Sequence, residues 1–185
     1  GGRSHRLEIG AAVAVRGDRR FVRRDGSVLW TLVNSSPMFD AAGDYADNAW
    51  RFGLYCRAAM EALRADGQPV DVLHLHDWQA GPAAVFRALR YADDPIIGGA
   101  AIVTTLHNLA YHGWTYNSGL GQLGLPVGGD AFGQNPDGID LLAAAVEGAE
   151  IVNTVSPGYA AEALTPAFGM GLDGLSKSEE ARRQL

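Results

Sequence analysis

Two apolar stretches of the chain each end abruptly in residues that can donate, accept or transfer protons. The first ends in His74, His76 and Asp77, and the second ends in His107 and Asn108. Histidine changes its charge close to neutral pH, and its ring nitrogens can hydrogen-bond a sugar hydroxyl or a phosphate oxygen. These five residues are therefore the first candidates for binding or chemistry.

The spacing of the first group is also compatible with simpler roles. His74 and His76 are two residues apart in a predicted strand, so they lie on one face of it, and such a pair could bind a metal ion. No convincing third ligand follows nearby, so we predict no metal site and expect His74 to be a buried, hydrogen-bonded structural residue. Asp77 could be the N-cap of a helix that begins at Trp78, which would aim a helix N-terminus suited to anions at the same place.

The elements that must position these side chains alternate between strand and helix. Apolar runs predict strands at 70–75, 100–106 and 151–155, and the intervening patterns predict helices at 79–91, 139–149 and 157–164. Ser156 is suited to the N-cap of the last helix and Pro157 to its first turn. The alternation predicts an α/β fold, a parallel sheet with helices on both faces, in which ligands bind beyond the carboxyl ends of the strands.

The segments around this repeat differ from it in character. Gly-Asp and Asp-Gly pairs between β-prone runs in residues 6–34 predict a β-hairpin region near the start of the chain. A helix is expected from an N-cap at Asp44 to about Ala65, and Cys56 falls in its apolar stripe, which predicts a packed core residue. Residues 113–138 are rich in glycine and lack clear periodicity, so we expect a long loop there.

Composition limits the class of protein and its partners. The 185 residues are 47% hydrophobic and 19% charged, as expected of a single globular domain. A net charge of −6 argues against non-specific binding to nucleic acid or to an anionic membrane surface. The single cysteine suits a reducing cytoplasm. The chain has no phosphate-loop motif, no G-x-G-x-x-G after a strand and no G-x-S-x-G, so neither those nucleotide sites nor a hydrolase nucleophile is indicated.

Four motifs of the chain closely resemble those of bacterial glycogen synthases and plant starch synthases. They are YADNAWRF at 45–52, DVLHLHDWQAG at 71–81, TLHNLAYHGW at 105–114 and TVSPGYAAEALTPAFGMGLDGL at 154–175. The similarity covers about residues 5–175 and keeps the order of the family. It implies a GT-B fold, in which two Rossmann-like domains face each other across a cleft. Residues 1–185 would be part of the N-terminal, acceptor-side domain, and the C-terminal nucleotide-binding domain would be absent.

The resemblance implies a retaining glycosyltransferase that moves glucose from ADP-glucose, or in some members UDP-glucose, to the end of an α-1,4-glucan. It implies no cofactor and no metal, and the isolated chain is expected to be inactive. The residues that match family positions fall into two groups. The implied catalytic residues are His107, Gln79 and Asp47, and the implied substrate-binding residues are His76, Asp77, Trp78, Asn108 and Tyr111.

Some positions depart from the usual family pattern, and other functions stay open. Gln79 stands where many members have histidine, His112 stands where glutamine is common, and the helix at Leu142 lacks the usual lysine. Gln79 can keep a hydrogen bond but cannot titrate. The alternatives are another GT-B transferase, such as a sucrose synthase or a trehalose-forming enzyme, and a non-catalytic carbohydrate-binding remnant. The stretch from Thr165 to Leu175 favours the synthase.

Overall fold

A computed structural model describes residues 7–9, 12–22, 28–35, 39–40, 43–125 and 134–173, with side chains for 45–116, 118–119, 121–125 and 136–173. The first strands are β1 (Leu7–Ile9), β2 (Ala12–Val22), β3 (Val28–Ser35), β4 (Phe39–Asp40) and β5 (Gly43–Asp44). The later strands are β6 (Val72–His76), β7 (Ala101–Leu106), β8 (Thr115–Tyr116), β9 (Gln134–Asn135), β10 (Gly138–Ile139) and β11 (Ile151–Thr154). The helices are α1 (Asn48–Asp66), α2 (Gly81–Leu89), α3 (Asn117–Gln122), α4 (Leu141–Glu147) and α5 (Pro157–Ala163), with a 3-10 turn at Trp78–Ala80.

The main sheet has six strands in the order β1-β2-β3-β6-β7-β11. Strands β1, β2 and β3 pair antiparallel, which confirms the hairpin region expected near the start of the chain. From β3 onward the pairing is parallel, as the alternation of strand and helix predicts. In the register His76 pairs with Thr105, and Thr105 pairs with Asn153. The carboxyl ends of three parallel strands therefore meet in one row.

Helix α1 forms because its apolar side chains recur on one face. Phe52, Cys56, Met60 and Leu63 are buried at spacings of three and four residues. Gly67 ends the helix in the left-handed conformation and donates its N–H to the carbonyls of Arg64 and Leu63. Cys56 is fully buried, and burial raises the pKa of its thiol to about 12. The prediction of a packed core cysteine is thereby confirmed.

Two expectations about element boundaries were wrong. Helix α1 has Asp47 rather than Asp44 at its N-cap position, and the Asp47 side chain makes no capping hydrogen bond there. The expected helix 79–91 is a 3-10 turn followed by α2, in which Pro82 lies in the first turn. Proline is favoured in the first turn because an N–H there has no helical acceptor, so its absence costs no hydrogen bond.

The expected long loop at 113–138 contains regular structure in its described part. Strands β8, β10 and β9 form a small antiparallel sheet, and α3 lies between β8 and β9 in the chain. A Cβ atom on Gly138 would overlap the carbonyl oxygen of Thr115, so the close pairing of β10 and β8 requires glycine. These elements are two to six residues long, too short for periodicity to reveal them.

The flanking helices and the sheet share one hydrophobic core. It runs through α1, α2, α4 and the interior positions of β6 and β7, with Phe86, Ile102 and Leu142 among its fully buried members. Within the described part of the chain, no helix is both long and apolar enough to cross a membrane.

Candidate active site

Asp77 connects the ends of β6 and β7. Its Oδ1 accepts hydrogen bonds from the backbone N–H groups of His107, at 2.7 Å, and of Asn108, at 3.2 Å. The prediction that Asp77 caps the following helix was wrong, because its side chain makes no capping hydrogen bond. Asp77 also has φ 52 and ψ −170, a backbone conformation that non-glycine residues rarely adopt. Such strain persists where surrounding contacts enforce it, and it is common at functional sites.

Three histidines lie together at this edge of the sheet. The rings of His74 and His76 are 4.4 Å apart between centroids, which confirms that both lie on one face of β6. His76 Nδ1 is 3.0 Å from His107 Nε2. His74 Nε2 is 2.7 Å from Thr105 Oγ1, and Thr105 in turn donates to Asn153 Oδ1 at 2.6 Å. His74 is therefore hydrogen-bonded as expected, but it is half-buried rather than buried.

Burial keeps the two inner histidines neutral. It is the largest cause that lowers the pKa of His76 to about 4, and the nearby His74 and His107 act in the same direction, against Asp77. Burial also lowers the pKa of His74, with a smaller effect of His107. His107 itself is exposed. At neutral pH the inner part of the group consequently offers uncharged donors and acceptors.

No metal site is assembled here or elsewhere in the described ranges. Among these residues, no three or more His, Cys, Asp and Glu side chains are grouped so that they could hold a metal ion. Three imidazoles lie near one another, and one nitrogen of each is engaged: His74 Nε2 with Thr105 Oγ1, and His76 Nδ1 with His107 Nε2.

An open cavity of about 470 Å³ is lined by Trp78, which directly follows Asp77 in the chain, and by residues 110–116, which begin two residues after Asn108. Its walls include aromatic side chains from several elements and the buried Asn48. Tyr111 is 41% exposed, Trp114 is 42% exposed and Tyr116 is 67% exposed, whereas Trp78 is only 5% exposed and packs edge-to-face on Phe52 with centroids 5.1 Å apart. Large apolar rings beside a few polar groups are typical of ligand pockets.

The loop that carries Tyr111 is anchored to the start of α4. His112 Nδ1 lies 2.5 Å from Asp140 Oδ2, and the His112 carbonyl accepts the N–H of Leu142 at 3.0 Å. Asp140 is the N-cap of α4, and its other carboxylate oxygen accepts the N–H of Ala143. The His112–Asp140 pair was not predicted from the sequence. An aspartate directly before an apolar helix signals an N-cap, so the sequence carried a signal for Asp140 but none for His112.

The end of β11 completes the edge of the sheet. Ser156 Oγ accepts the N–H of Tyr159 at 3.1 Å, which confirms Ser156 as the N-cap of α5. The Tyr159 hydroxyl accepts the N–H of Leu109 at 2.9 Å, so α5 holds the loop that follows His107 and Asn108.

The remaining residues expected at the site lie at its margin. Asp47 is at the start of α1, between the cavity-lining Tyr45 and Asn48, and it pairs with Arg51 at 3.9 Å. Gln79 lies in the 3-10 turn, where its backbone carbonyl accepts the thiol of Cys56 at 3.4 Å. The structure thus joins His76, Asp77, His107 and Asn108 directly and places Trp78 and Tyr111 in the adjoining cavity wall.

Comparison with known proteins gives consistent matches. Residues 12–178 match the family model for the starch synthase catalytic domain. The chain is 43% identical over 178 residues to a glycogen synthase of Acidiphilium cryptum, covering 91% of the chain and 34% of the relative. It is 41% identical over 141 residues to glycogen synthase 1 of Geobacter sulfurreducens, covering 74% of the chain and 28% of the relative.

A solved structure has the same fold over nearly the whole chain. It is the catalytic domain of Starch Synthase IV from Arabidopsis thaliana bound to ADP and acarbose, with a TM-score of 0.65 and 28% identity. The match covers 94% of this chain and 36% of that one, which confirms the expected GT-B type of α/β fold. The chain spans about a third of the length of the relatives that it matches.

Proposed function

The chain belongs to the starch synthase catalytic domain family, and we propose that it forms the acceptor-side, N-terminal part of an enzyme that makes α-1,4-glucan. The full-length enzyme would transfer glucose from ADP-glucose to the non-reducing end of the glucan with retention of configuration, in the cytoplasm. One observation carries the proposal. His76, Asp77, His107 and Asn108 meet at the carboxyl ends of parallel strands, where α/β folds bind ligands. Trp78 and residues 110–116, which follow these residues closely in the chain, line a cavity with aromatic walls.

The electrostatics of the site suit glucosyl transfer. When the diphosphate leaves, positive charge develops on the ring oxygen and anomeric carbon of the glucose. Neutral His74 and His76 do not repel that charge, whereas buried imidazolium ions would. The carboxylate of Asp77 stays next to the site, held by two backbone N–H groups.

The candidate residues other than His76 have the following roles in this proposal. His107 and Asn108 hydrogen-bond the transferred glucose, in a position set by Asp77. Tyr111 and Trp78 pack against the acceptor. Asp47 and Gln79, at the margin, contribute hydrogen bonds to sugar hydroxyls.

Transfer activity tests the proposal directly. We expect the purified full-length enzyme to release ADP from ADP-glucose in the presence of glycogen and to lengthen the glucan. The 185-residue chain alone is expected to show no transfer, because positioning donor against acceptor supplies roughly 7–11 kcal/mol of the catalytic effect and the chain offers only one side of the cleft. A folded full-length protein that binds glycogen without transferring glucose would instead support the carbohydrate-binding alternative.

We expect Trp114 to contribute to acceptor binding. Replacing it with alanine in the full-length enzyme should raise the KM for glycogen roughly 2- to 12-fold, because one aromatic contact contributes about 0.5–1.5 kcal/mol. The value of kcat at saturating glycogen should change little. Trp50 is a matched control, since it is 41% exposed on α1 and does not line the cavity. Equal effects of W114A and W50A on KM would refute the role of Trp114.

A further inference from the structure

The contact between His76 and His107 restricts the protons of both rings. His76 Nδ1 and His107 Nε2 are 3.0 Å apart, a hydrogen-bond distance. One of the two nitrogens must carry the proton and the other must present a lone pair. The pair therefore cannot hold a proton on both facing nitrogens without breaking the contact.

The surroundings decide which ring donates. The titratable groups that face His76 are His74 on the same strand, His107 at the end of β7 and Asp77 in the turn. Burial and the two histidines lower the pKa of His76 to about 4, so His76 is neutral at pH 7. A neutral, half-buried His76 can accept at Nδ1, and the exposed His107 then donates from Nε2.

The neighbouring hydrogen-bonded side chains, those of His74, Thr105 and Asn153, are also uncharged. Thr105 has one hydroxyl proton, which it donates to Asn153 Oδ1. Its oxygen must therefore accept from His74 Nε2–H, which fixes the tautomer of His74. His107 therefore contacts a neutral His76, with ring centroids 5.3 Å apart, and His76 in turn lies against a neutral His74.

We propose that His76 is a positioning residue that acts through His107. Its Nδ1 accepts His107 Nε2–H, which fixes the tautomer and the orientation of the His107 ring and leaves His107 Nδ1 as the nitrogen that meets the sugar. Asp77 fixes the same residue from its other side by accepting its backbone N–H. The catalytic consequence rests on the proposed function, whereas the hydrogen bond does not. The sequence analysis expects His76 to bind substrate. In this proposal His107 binds the substrate, and His76 holds His107 in position.

Two substitutions separate this role from simple filling of space. In asparagine the side-chain oxygen lies where Nδ1 of histidine lies, and in glutamine it lies nearer to Nε2. H76N should therefore keep an acceptor for His107, and H76Q should lose it. Both variants are polar and similar in size, so a purely structural role would not separate them in this order.

Nuclear magnetic resonance of the 15N-histidine-labelled full-length enzyme tests the hydrogen bond. We expect a slowly exchanging imidazole proton on His107 Nε2 in the wild-type enzyme and in H76N, and its loss in H76Q. H112Q is the control, because His112 bonds to Asp140 and its replacement should leave the signal in place. Absence of the signal from the wild-type enzyme, or its presence in H76Q, would overturn the proposal.

Steady-state kinetics of the full-length enzyme test whether the hydrogen bond contributes to catalysis. H76Q should lower kcat about tenfold, the effect of one hydrogen bond, with an unchanged KM for glycogen, and H76N should recover most of that loss. Equal kcat in H76Q and H76N would contradict the positioning role. If the wild-type enzyme transfers no glucose, the proposed function fails, and the magnetic resonance result still decides the hydrogen bond.

Discussion

Replacing His107 with alanine in the full-length enzyme is expected to lower kcat by about 10²–10³, which corresponds to the loss of about 2–4 kcal/mol of transition-state stabilisation. The imidazole is exposed, directly after the end of β7, and its Nε2 contacts His76 Nδ1. Its backbone N–H, which Asp77 accepts, is unaffected by the substitution. The folded structure should therefore remain.

Measuring kcat and the denaturation midpoint on the same H107A protein checks this result. We expect the midpoint to shift little, because truncating an exposed side chain removes few packing contacts. A large fall in the midpoint with an unchanged kcat would mean that His107 is a structural residue and that the chemistry lies elsewhere.

Gly113→Ala is expected to destabilise the chain by about 2–5 kcal/mol, the sum of a backbone cost and a packing cost. Gly113 has φ +66, where a side chain costs about 1–2 kcal/mol. A methyl group there would also overlap the ring of Trp78, which is buried against Phe52 and cannot easily move. Overpacking of this kind costs roughly a further 1–3 kcal/mol. The free energy of unfolding in urea measures the sum.

Gly67→Ala separates the two causes. Gly67 has φ +74, close to that of Gly113, but a Cβ atom there meets nothing within 4 Å. It should therefore show only the backbone cost of about 1–2 kcal/mol. If both substitutions destabilise the chain equally, Trp78 does not pack against Gly113 as described, and the floor of the cavity is different.

The sheet, and the edge of it that carries the candidate residues, could be predicted from the sequence because buried parallel strands leave continuous apolar runs. Strands β6, β7 and β11 lie within two residues of their predicted positions. Ser156 was also predicted correctly, since an N-cap depends on residues three positions apart. The parallel order then brings His76 and His107 to one edge without further information.

The contacts that shape the site could not be predicted, because they join residues far apart in the chain. Aspartate is a favoured residue type at a helix N-cap. The Asp77 carboxylate instead accepts hydrogen bonds from backbone N–H groups that are 30 and 31 residues away. The His112–Asp140 pair spans 28 residues, and neither residue signals the other in the sequence. Strands of two residues, such as β8, are likewise stabilised by their partner rather than by a local pattern.

A crystal structure of the full-length enzyme with ADP and acarbose, the ligands bound to the Arabidopsis thaliana relative, would test the central claim most directly. We predict a sugar ring within hydrogen-bonding distance, about 3.2 Å or less, of His107 and Asn108, with a further ring against Trp114. Carbohydrate bound away from the carboxyl ends of β6 and β7, with His107 contacting only solvent, would contradict the assignment of this edge as the glucosyl-transfer site.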